Sequence, residues 1–381
     1  MDPQRKGDLM NLFIQETKKL LRLTRSDPRS LAAGIIAPTV ILLIFALTFG
    51  NFGALKLAFV NNDVGEMGNE LAASIFSQTS PLSGKPYFEQ VDADAVRAAN
   101  LYEAGEVAGI LTIPRDFTAQ LDSGPGQINY EFNNSNSDMA KNLRLYLAEG
   151  IYDFYQRHLP GMDLRTTTVL AVPTQVDWFS IMAVGIVLLA FLMGSMFNYL
   201  YLFNKERLYS TLVQYRLAPG PLVATFIARL VVALGVGLLT ASFNALLVWL
   251  MTGVNIAPHS LELSSIMAVL GIAFVSFAAL VSTLVNKFSG AAMLAMISAV
   301  VAWFLSGGTT SVKYATGYLL DVALALPSSY GLSQIRAIVF DVDQSVGGLL
   351  AIDRGWAVMC GYAIILVGVA YAVYRRKLSA R

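Results

Sequence analysis

Six stretches of this chain are almost free of charge and long enough to cross a bilayer, and no other feature limits the fold so strongly. They are Leu31–Phe49, Trp178–Leu202, Leu222–Met251, Leu263–Val285, a run beginning with Gly290–Leu305, and Gly355–Tyr374. A helix needs ~20 apolar residues to cross about 30 Å of hydrocarbon, where every backbone polar group must be satisfied internally. Only 14% of the 381 residues are charged while 55% are hydrophobic, against about 25% charged in soluble domains. The shortfall is concentrated in those runs, which predicts an α-helical polytopic membrane protein with six transmembrane helices. A net charge of +1 gives no basic field to attract nucleic acid.

Residues 1–30 read differently. Met10, Phe13, Ile14, Thr17, Leu20, Leu21 and Thr24 share one helical face, and Lys18, Arg22 and Arg25 share the other. That pattern predicts an amphipathic helix in the membrane interface, its basic face towards anionic headgroups of the lipid bilayer, broken at Asp27-Pro28. The first span, within residues 31–50, is longer than the core of a signal peptide and lacks a small-residue cleavage site. Residues 51–176 carry charged and Asn residues at ordinary soluble density and predict an α/β domain between the first and second spans. Strands are expected at Leu55–Val60, Tyr87–Val91, Val107–Ile113 and Gln127–Phe132, and helices at Glu70–Phe76, Asp94–Glu103 and Asp138–Arg157.

Residues 177–381 hold the other five spans. Segment 306–354 is too polar and Gly-rich for one span; Leu319–Leu326, Pro327 and Gly331–Phe340 predict short helices that dip back into the membrane or lie at its outer surface. Charge sets the orientation. Lys18, Lys19, Arg22, Arg25 and Arg29 precede the first span, and Lys205, Arg207 and Arg216 follow the second. Lys287 follows the fourth, Arg375, Arg376, Lys377 and Arg381 follow the sixth, and Thr252–Glu262 has no Lys or Arg. This alternation places both termini and loop 203–222 in the cytoplasm and domain 51–176 outside.

Catalytic and metal-binding signatures are missing. There is no Gly-x-x-x-x-Gly-Lys-Ser/Thr loop, no His-Glu-x-x-His, no Gly-x-Ser-x-Gly and no Cys-x-x-Cys. The only histidines, His158 and His259, read as exposed residues at a helix end and in a loop, and Asp341 and Asp343 read as solvated turn residues. No cofactor or metal is therefore expected on this chain. No span has an ionised residue near its middle, which argues against proton or sodium coupling. Arg229 sits near a span end and is expected to snorkel to the surface. Asn198 and Asn244 are weak candidates for a substrate path, with ordinary interhelical hydrogen bonding as the alternative.

Between the second and third spans, Phe203–Leu222 reads Phe-Asn-Lys-Glu-Arg-Leu-Tyr-Ser-Thr-Leu-Val-Gln-Tyr-Arg-Leu-Ala-Pro-Gly-Pro-Leu, a short helix ending in a hinge. It resembles the first cytoplasmic loop of ABC-2 type transporter permeases, where a Lys-Glu-Arg start, a Gly-Thr-Leu-Glu core and a Thr-Pro end dock on the ATPase. Glu206, Arg207, Thr211, Leu212, Gln214 and Pro219 keep that pattern; Ser210, Val213 and Ala218 stand where Gly, Glu and Thr are usual. Ile113-Pro114-Arg115-Asp116-Phe117 resembles the extracytoplasmic domain of the larger ABC-2 exporter permeases. Leu326-Pro327-Ser328-Ser329-Tyr330 is similar to the family's Pro-containing segment, which nominates Pro327 and Tyr330 for an outer re-entrant element.

The resemblance implies a type V exporter-like fold and a role as the transmembrane permease subunit of an ATP-binding cassette exporter. Its substrate would be hydrophobic or amphiphilic (a drug, antibiotic or lipid-like molecule), moved out across a prokaryotic inner or plasma membrane. ATP and Mg would be handled by two copies of a separate ATP-binding subunit, and the permease would be a homodimer or a heterodimer with a paralogue. On this reading Glu206 and Arg207 meet the ATPase close to water, and Leu212 fills a notch on it. A rival reading is a phage-receptor or secretion-accessory membrane protein that shares the outer domain without an ATPase. An ion-coupled transporter is disfavoured by the uncharged spans.

Overall fold

The computed structural model describes residues 3–49, 54–79, 84–124, 126–132, 137–158, 178–217, 222–312, 317–341, 350 and 352–379. The chain divides into two compact units, one made of Met1–Gly50 with Val176–Arg381 and the other of Asn51–Gln175.

The first unit opens with α1 (Pro3–Ser26) and α2 (Arg29–Phe49). Asp27 separates them, accepting from the Arg29 N–H through its own carboxylate. The apolar residues of α1 serve two surroundings. Leu20 is fully buried among Leu202, Ala228 and Val232, with Phe13 and Leu23 beside it, whereas Met10, Ile14 and Leu21 remain exposed. The single lipid-facing side expected from the sequence is thus split: half of it packs on helices, and the exposed half lies next to Lys18, Arg22 and Arg25. Pro38 lies inside α2 without ending it.

The second unit is built on β1 (Leu55–Asn61), α3 (Met67–Phe76), β2 (Phe88–Asp92), α4 (Ala95–Glu103), β3 (Gly109–Ile113), α5 (Phe117–Ser123), β4 (Asn129–Phe132) and α6 (Ser137–His158). The sheet order is β2-β1-β3-β4, parallel except for the β3–β4 pair. Side chains alternate across it. Leu57, Phe59, Leu111 and Ile113 bury against α3, α5 and α6, while Ala58, Val60 and Ile110 bury against α4. Burial on both faces gives β1 its near-continuous apolar run. Asp94 caps α4, accepting from Arg97 N at 2.8 Å. His158 closes α6 with Nε2 2.6 Å from Glu70 Oε2 and its ring stacked on Phe154, so it is held rather than free in solvent.

The first unit resumes with α7 (Trp178–Leu208), α8 (Gln214–Leu217), α9 (Leu222–Thr252), α10 (Ser260–Leu284), α11 (Phe288–Leu305), α12 (Tyr318–Ala325), α13 (Pro327–Phe340) and α14 (Ile352–Ser379). Six described helices are long and apolar enough to cross a membrane: α2, α7, α9, α10 (with the short turn before it), α11 and α14. α7 is the central one, packed on by α2, α9, α10, α11 and α13. Small residues allow the closest approach. A Cβ added to Gly34 would lie 2.5 Å from Gly194 Cα, and one added to Gly194 would lie 2.2 Å from Thr240 Oγ1.

The described residues of segment 306–354 include two short helices, α12 and α13, and α13 does not lie on a surface. Every residue from Pro327 to Arg336 is buried. Pro327 takes the first helical turn, where its missing N–H costs nothing. Tyr330 Oη donates to Leu324 O at 2.9 Å and fastens α13 to α12. Arg336, only 2% exposed, donates to Gly307 O at 2.7 Å, Gly308 O at 2.8 Å, and Thr310 O and Ile181 O at 3.3 Å. It thereby satisfies the loop that follows α11.

Candidate functional site

The end of α7 carries most of the charge near the spans. The sequence predicted that the second span stops at Leu202 and that a short helix follows. Instead α7 runs on through Lys205, Glu206 and Arg207 to Leu208. Tyr209 and Ser210 then turn the chain, and Ser210 adopts φ 56°, in the left-handed region. Glycine takes that conformation without a Cβ clash, which explains on backbone grounds why Gly is usual there in the sequences this segment resembles. Thr211 Oγ1 donates to Glu206 O at 3.1 Å and caps the helix. A single 3-10 turn, Thr211–Val213, leads into α8.

This turn folds Tyr215 back over Glu206. Tyr215 Oη donates to Glu206 Oε1 at 2.7 Å, and Lys19 Nζ of α1 lies 3.2 Å from the same oxygen. Arg229 of α9 pairs with Glu206 Oε2. Glu16 of α1 lies 3.2 Å from the Tyr215 hydroxyl and pairs with Lys19 at 2.6 Å. The carboxylate therefore joins α1, α7, α8 and α9 at one point. Glu206 is 3% exposed and Arg229 0%. The guanidinium also lies over the rings of Tyr199, Phe203 and Tyr374, at 5.5, 5.4 and 5.7 Å. Burial, and then the Glu206 carboxylate, push the Tyr215 phenol above its ordinary range, so it stays protonated and donates.

Two expectations are corrected here. Glu206 does not stand near water for an outside partner, because its oxygens are taken up inside the chain. Arg229 does not snorkel, because a carboxylate and three aromatic faces hold it indoors. Arg207 also turns inward, donating to Ser282 O, Val285 O at 3.1 Å and Asn286 O at 2.7 Å at the C-terminal end of α10. Lys377 of α14 reaches the same end through Thr283 O. Leu212 is half-buried against Tyr199, Phe203, Phe226 and their neighbours. Of the predicted residues Gln214 is exposed, and what points outward beside it was not in the predicted set: Leu208 is 70% exposed, Tyr209 74% and Val213 46%. Nothing in the sequence sets Leu208, Tyr209 and Val213 apart from Leu212, Tyr215 and Leu217, the large apolar residues beside them. Pro219 lies outside the described residues.

A second tie closes the other side of α7. Lys205 lies 3.0 Å from Asp27 Oδ2, and Tyr201 donates to the same carboxylate. The Tyr201 hydrogen bond, helped by Lys205, draws the Asp27 carboxyl down to about 2.

The structure does not bring Asn198 and Asn244 together, and both are 0% exposed. Asn198 Nδ2 donates to Ser30 Oγ at 3.0 Å. Asn244 Nδ2 donates to Thr240 O at 3.1 Å, and its Oδ1 accepts from Thr39 at 3.3 Å. Their contacts are ties to α2, to Thr24 of α1 and within α9. Pro327 and Tyr330 are buried within the helical unit, away from the α7 turn. Groups of three or more His, Cys, Asp or Glu placed to hold a metal ion are absent among the described residues.

Residues 29–372 match the model of a protein family described as ABC-2 family transporter protein. No curated protein matches the chain.

Proposed function

The chain belongs to the ABC-2 transporter family, which makes it a multi-pass membrane permease subunit that works with an ABC ATPase, and from that premise we propose how the two meet. The ATPase docks on the turn after α7, against Leu208, Tyr209 and Val213, and the protein exports a hydrophobic or amphiphilic substrate. The observation that carries this reading is the exposed apolar cluster on a turn pinned from behind. Large apolar side chains at 46–74% exposure beside buried charges are what a docking site requires: a desolvable knob on a support that does not yield.

On this proposal a push on the knob is carried by Tyr215 and Thr211 into Glu206. From there it reaches α9 through Arg229 and α1 through Lys19. The partner, not this chain, binds ATP and Mg. Nucleotide drives the cycle only if it binds the two conformations with different affinity. The charge pattern supports placing this turn and both termini in the cytoplasm, with domain 51–176 outside, in a prokaryotic inner or plasma membrane. The working unit is two permeases, identical or paralogous, with two ATPases.

The test is Leu208→Asp with Val213→Asp. Both side chains are exposed and leave the Glu206 cluster untouched, so membrane level and thermal stability should match the wild type. Co-purification of an ATP-binding subunit with the tagged chain, and ATP-dependent export from vesicles, should both fall at least tenfold. Unchanged co-purification and export at matched membrane level would remove the proposal.

A further inference from the structure

The hairpin of α9 and α10 does not close at the end where its helices join. Between Leu238–Trp249 of α9 and Ser260–Met267 of α10 lies a cleft of about 320 Å³, within the ~300–1,000 Å³ usual for ligand sites. Its floor is Val187 of α7 with Leu263 and Met267, all buried. Leu238, Ala241, Ala245 and Leu246 wall it. A small void behind the floor shares Val187, Leu263 and Met267 and reaches Ile335 of α13.

The other end of the cleft is polar. Asn255, Ser260, Ser264 and Trp249 line it. Among the described residues, the Trp249 indole N–H and the Ser260 and Ser264 hydroxyls make no hydrogen bond. Asn255 uses its Oδ1 to accept from Ala257 N at 3.0 Å, which leaves its amide N–H groups as donors. Trp249 lies in the last turn of α9, where a membrane-spanning helix meets the headgroups and indoles concentrate. None of the described residues lining the cleft is charged.

We propose that this cleft binds a neutral, single-chain amphiphile, its tail between α9 and α10 and its hydroxylated head at Trp249, Asn255, Ser260 and Ser264. The polarity gradient fixes the orientation, since a polar head at the apolar floor would lose its hydrogen bonds. The lack of a lining charge disfavours an ionic head, which would be desolvated without a partner. At about 320 Å³ the cleft stands at the small end of ligand sites, which leaves no place for the second chain of a diacyl lipid. The inference concerns binding alone and does not rest on the export reading.

The experiment uses the full chain in phosphatidylcholine nanodiscs, without ATPase or nucleotide. The probe is a monoacylglycerol with a diazirine in its acyl chain, with labelled peptides mapped by mass spectrometry. Labelling should saturate, concentrate in Leu238–Trp249 and Ser260–Met267, and be displaced by unlabelled monoacylglycerol. Ala245→Trp, which fills the slot, should abolish it. Ser260→Ala with Ser264→Ala, on the rim and neutral to packing, should weaken it about tenfold, as the loss of two neutral hydrogen bonds implies; this pair decides the matter if Ala245→Trp does not fold. Phosphatidylcholine carrying the same diazirine should mark the cleft no more than the exposed face of α11. Equal marking by the two-chain probe, labelling that never saturates, or closure of the cleft by a second copy of the chain would each overturn the proposal. Because no ATPase is present, failure here leaves the docking proposal standing, and failure there leaves this one standing.

Discussion

Replacing Glu206 by Gln removes one charge and almost no volume, and the structure sets what that should cost. Arg229, 0% exposed, loses its only close carboxylate among the described residues. Stranding one member of a buried pair costs about 3–5 kcal/mol. The three rings face the guanidinium in both forms and offset none of this, but the Gln amide oxygen still accepts from Arg229, so a loss at the lower end, roughly 3 kcal/mol, is expected. The converse change should be milder. In Arg229→Leu the carboxylate keeps Lys19 at 3.2 Å and Tyr215 at 2.7 Å, and Lys19, being 40% exposed, admits water. Removing both charges in Glu206→Leu with Arg229→Leu should restore most of the loss, because an apolar pair often equals a buried ion pair. Lys19→Met should cost ~0–1 kcal/mol, as for other water-exposed pairs. The assay is heat denaturation in detergent, read as the surviving monodisperse peak on size exclusion, and the Gln variant should lose on the order of 5–10 °C. If Glu206→Gln and Lys19→Met cost the same, or if the double variant is no better than Glu206→Gln alone, the buried-pair reasoning is wrong.

Arg336→Lys should not substitute for arginine. A single ammonium cannot span the four carbonyls that the guanidinium meets, so each carbonyl left bare costs about 1–3 kcal/mol, and the yield of folded protein should fall sharply. Ser210→Gly removes a left-handed strain of about 1 kcal/mol at φ 56°; the melting temperature should rise slightly or hold, whereas Ser210→Val should lower it. In the sheet domain, burial tends to raise the Asp63 carboxyl, but hydrogen bonds from Thr118 Oγ1 and from the Thr118 and Gly68 amides outweigh it and hold the group below its ordinary value. Its stabilising effect is therefore full above the unfolded carboxylate pKa of ~3.9 and is lost as pH falls through the lowered folded value. Limited proteolysis of Leu55–His158 in the full chain should accelerate in the wild type as pH falls below about 4, and Asp63→Asn should be faster-cut at neutral pH with less further change on acidification.

The spans were legible because a run of apolar residues has one stable place in a lipid-bound chain. The strands of the sheet domain were legible because alternation and turn residues bound them, although α5, seven residues between Pro114 and Gly124, is too short to show a helical period. What escaped was long-range pairing. Lys205-Glu206-Arg207 looked like the edge of a membrane span because charge normally marks that edge. Nothing local says that Glu206 finds Arg229 on the next long helix and Lys19 near the start of the chain. Arg336 was invisible for the same reason: a helix with one arginine and several serines reads as a surface element until its carbonyl partners in another loop are known. The candidate site inverted accordingly. Of the motif residues Glu206 proved internal, Leu212 half-buried and Gln214 exposed, and the exposed positions Leu208, Tyr209 and Val213 carried no motif signal, since Val213 departs from the pattern and the other two are outside it.

The far end of α10 is gripped twice. Arg207 at the end of α7 holds the carbonyls of Ser282, Val285 and Asn286, and Lys377 at the end of α14 holds that of Thr283 and lies 3.4 Å from Asn286 Oδ1. Two cations from distant parts of the chain thus hold one helix end, each taking carbonyls that the other does not reach. Three helix ends meet there as a corner fastened from two sides, and losing either cation leaves its own carbonyls bare. A pull on α7 or on α14 therefore arrives at the same end of α10, so the corner can pass a movement between helices that are far apart in the chain.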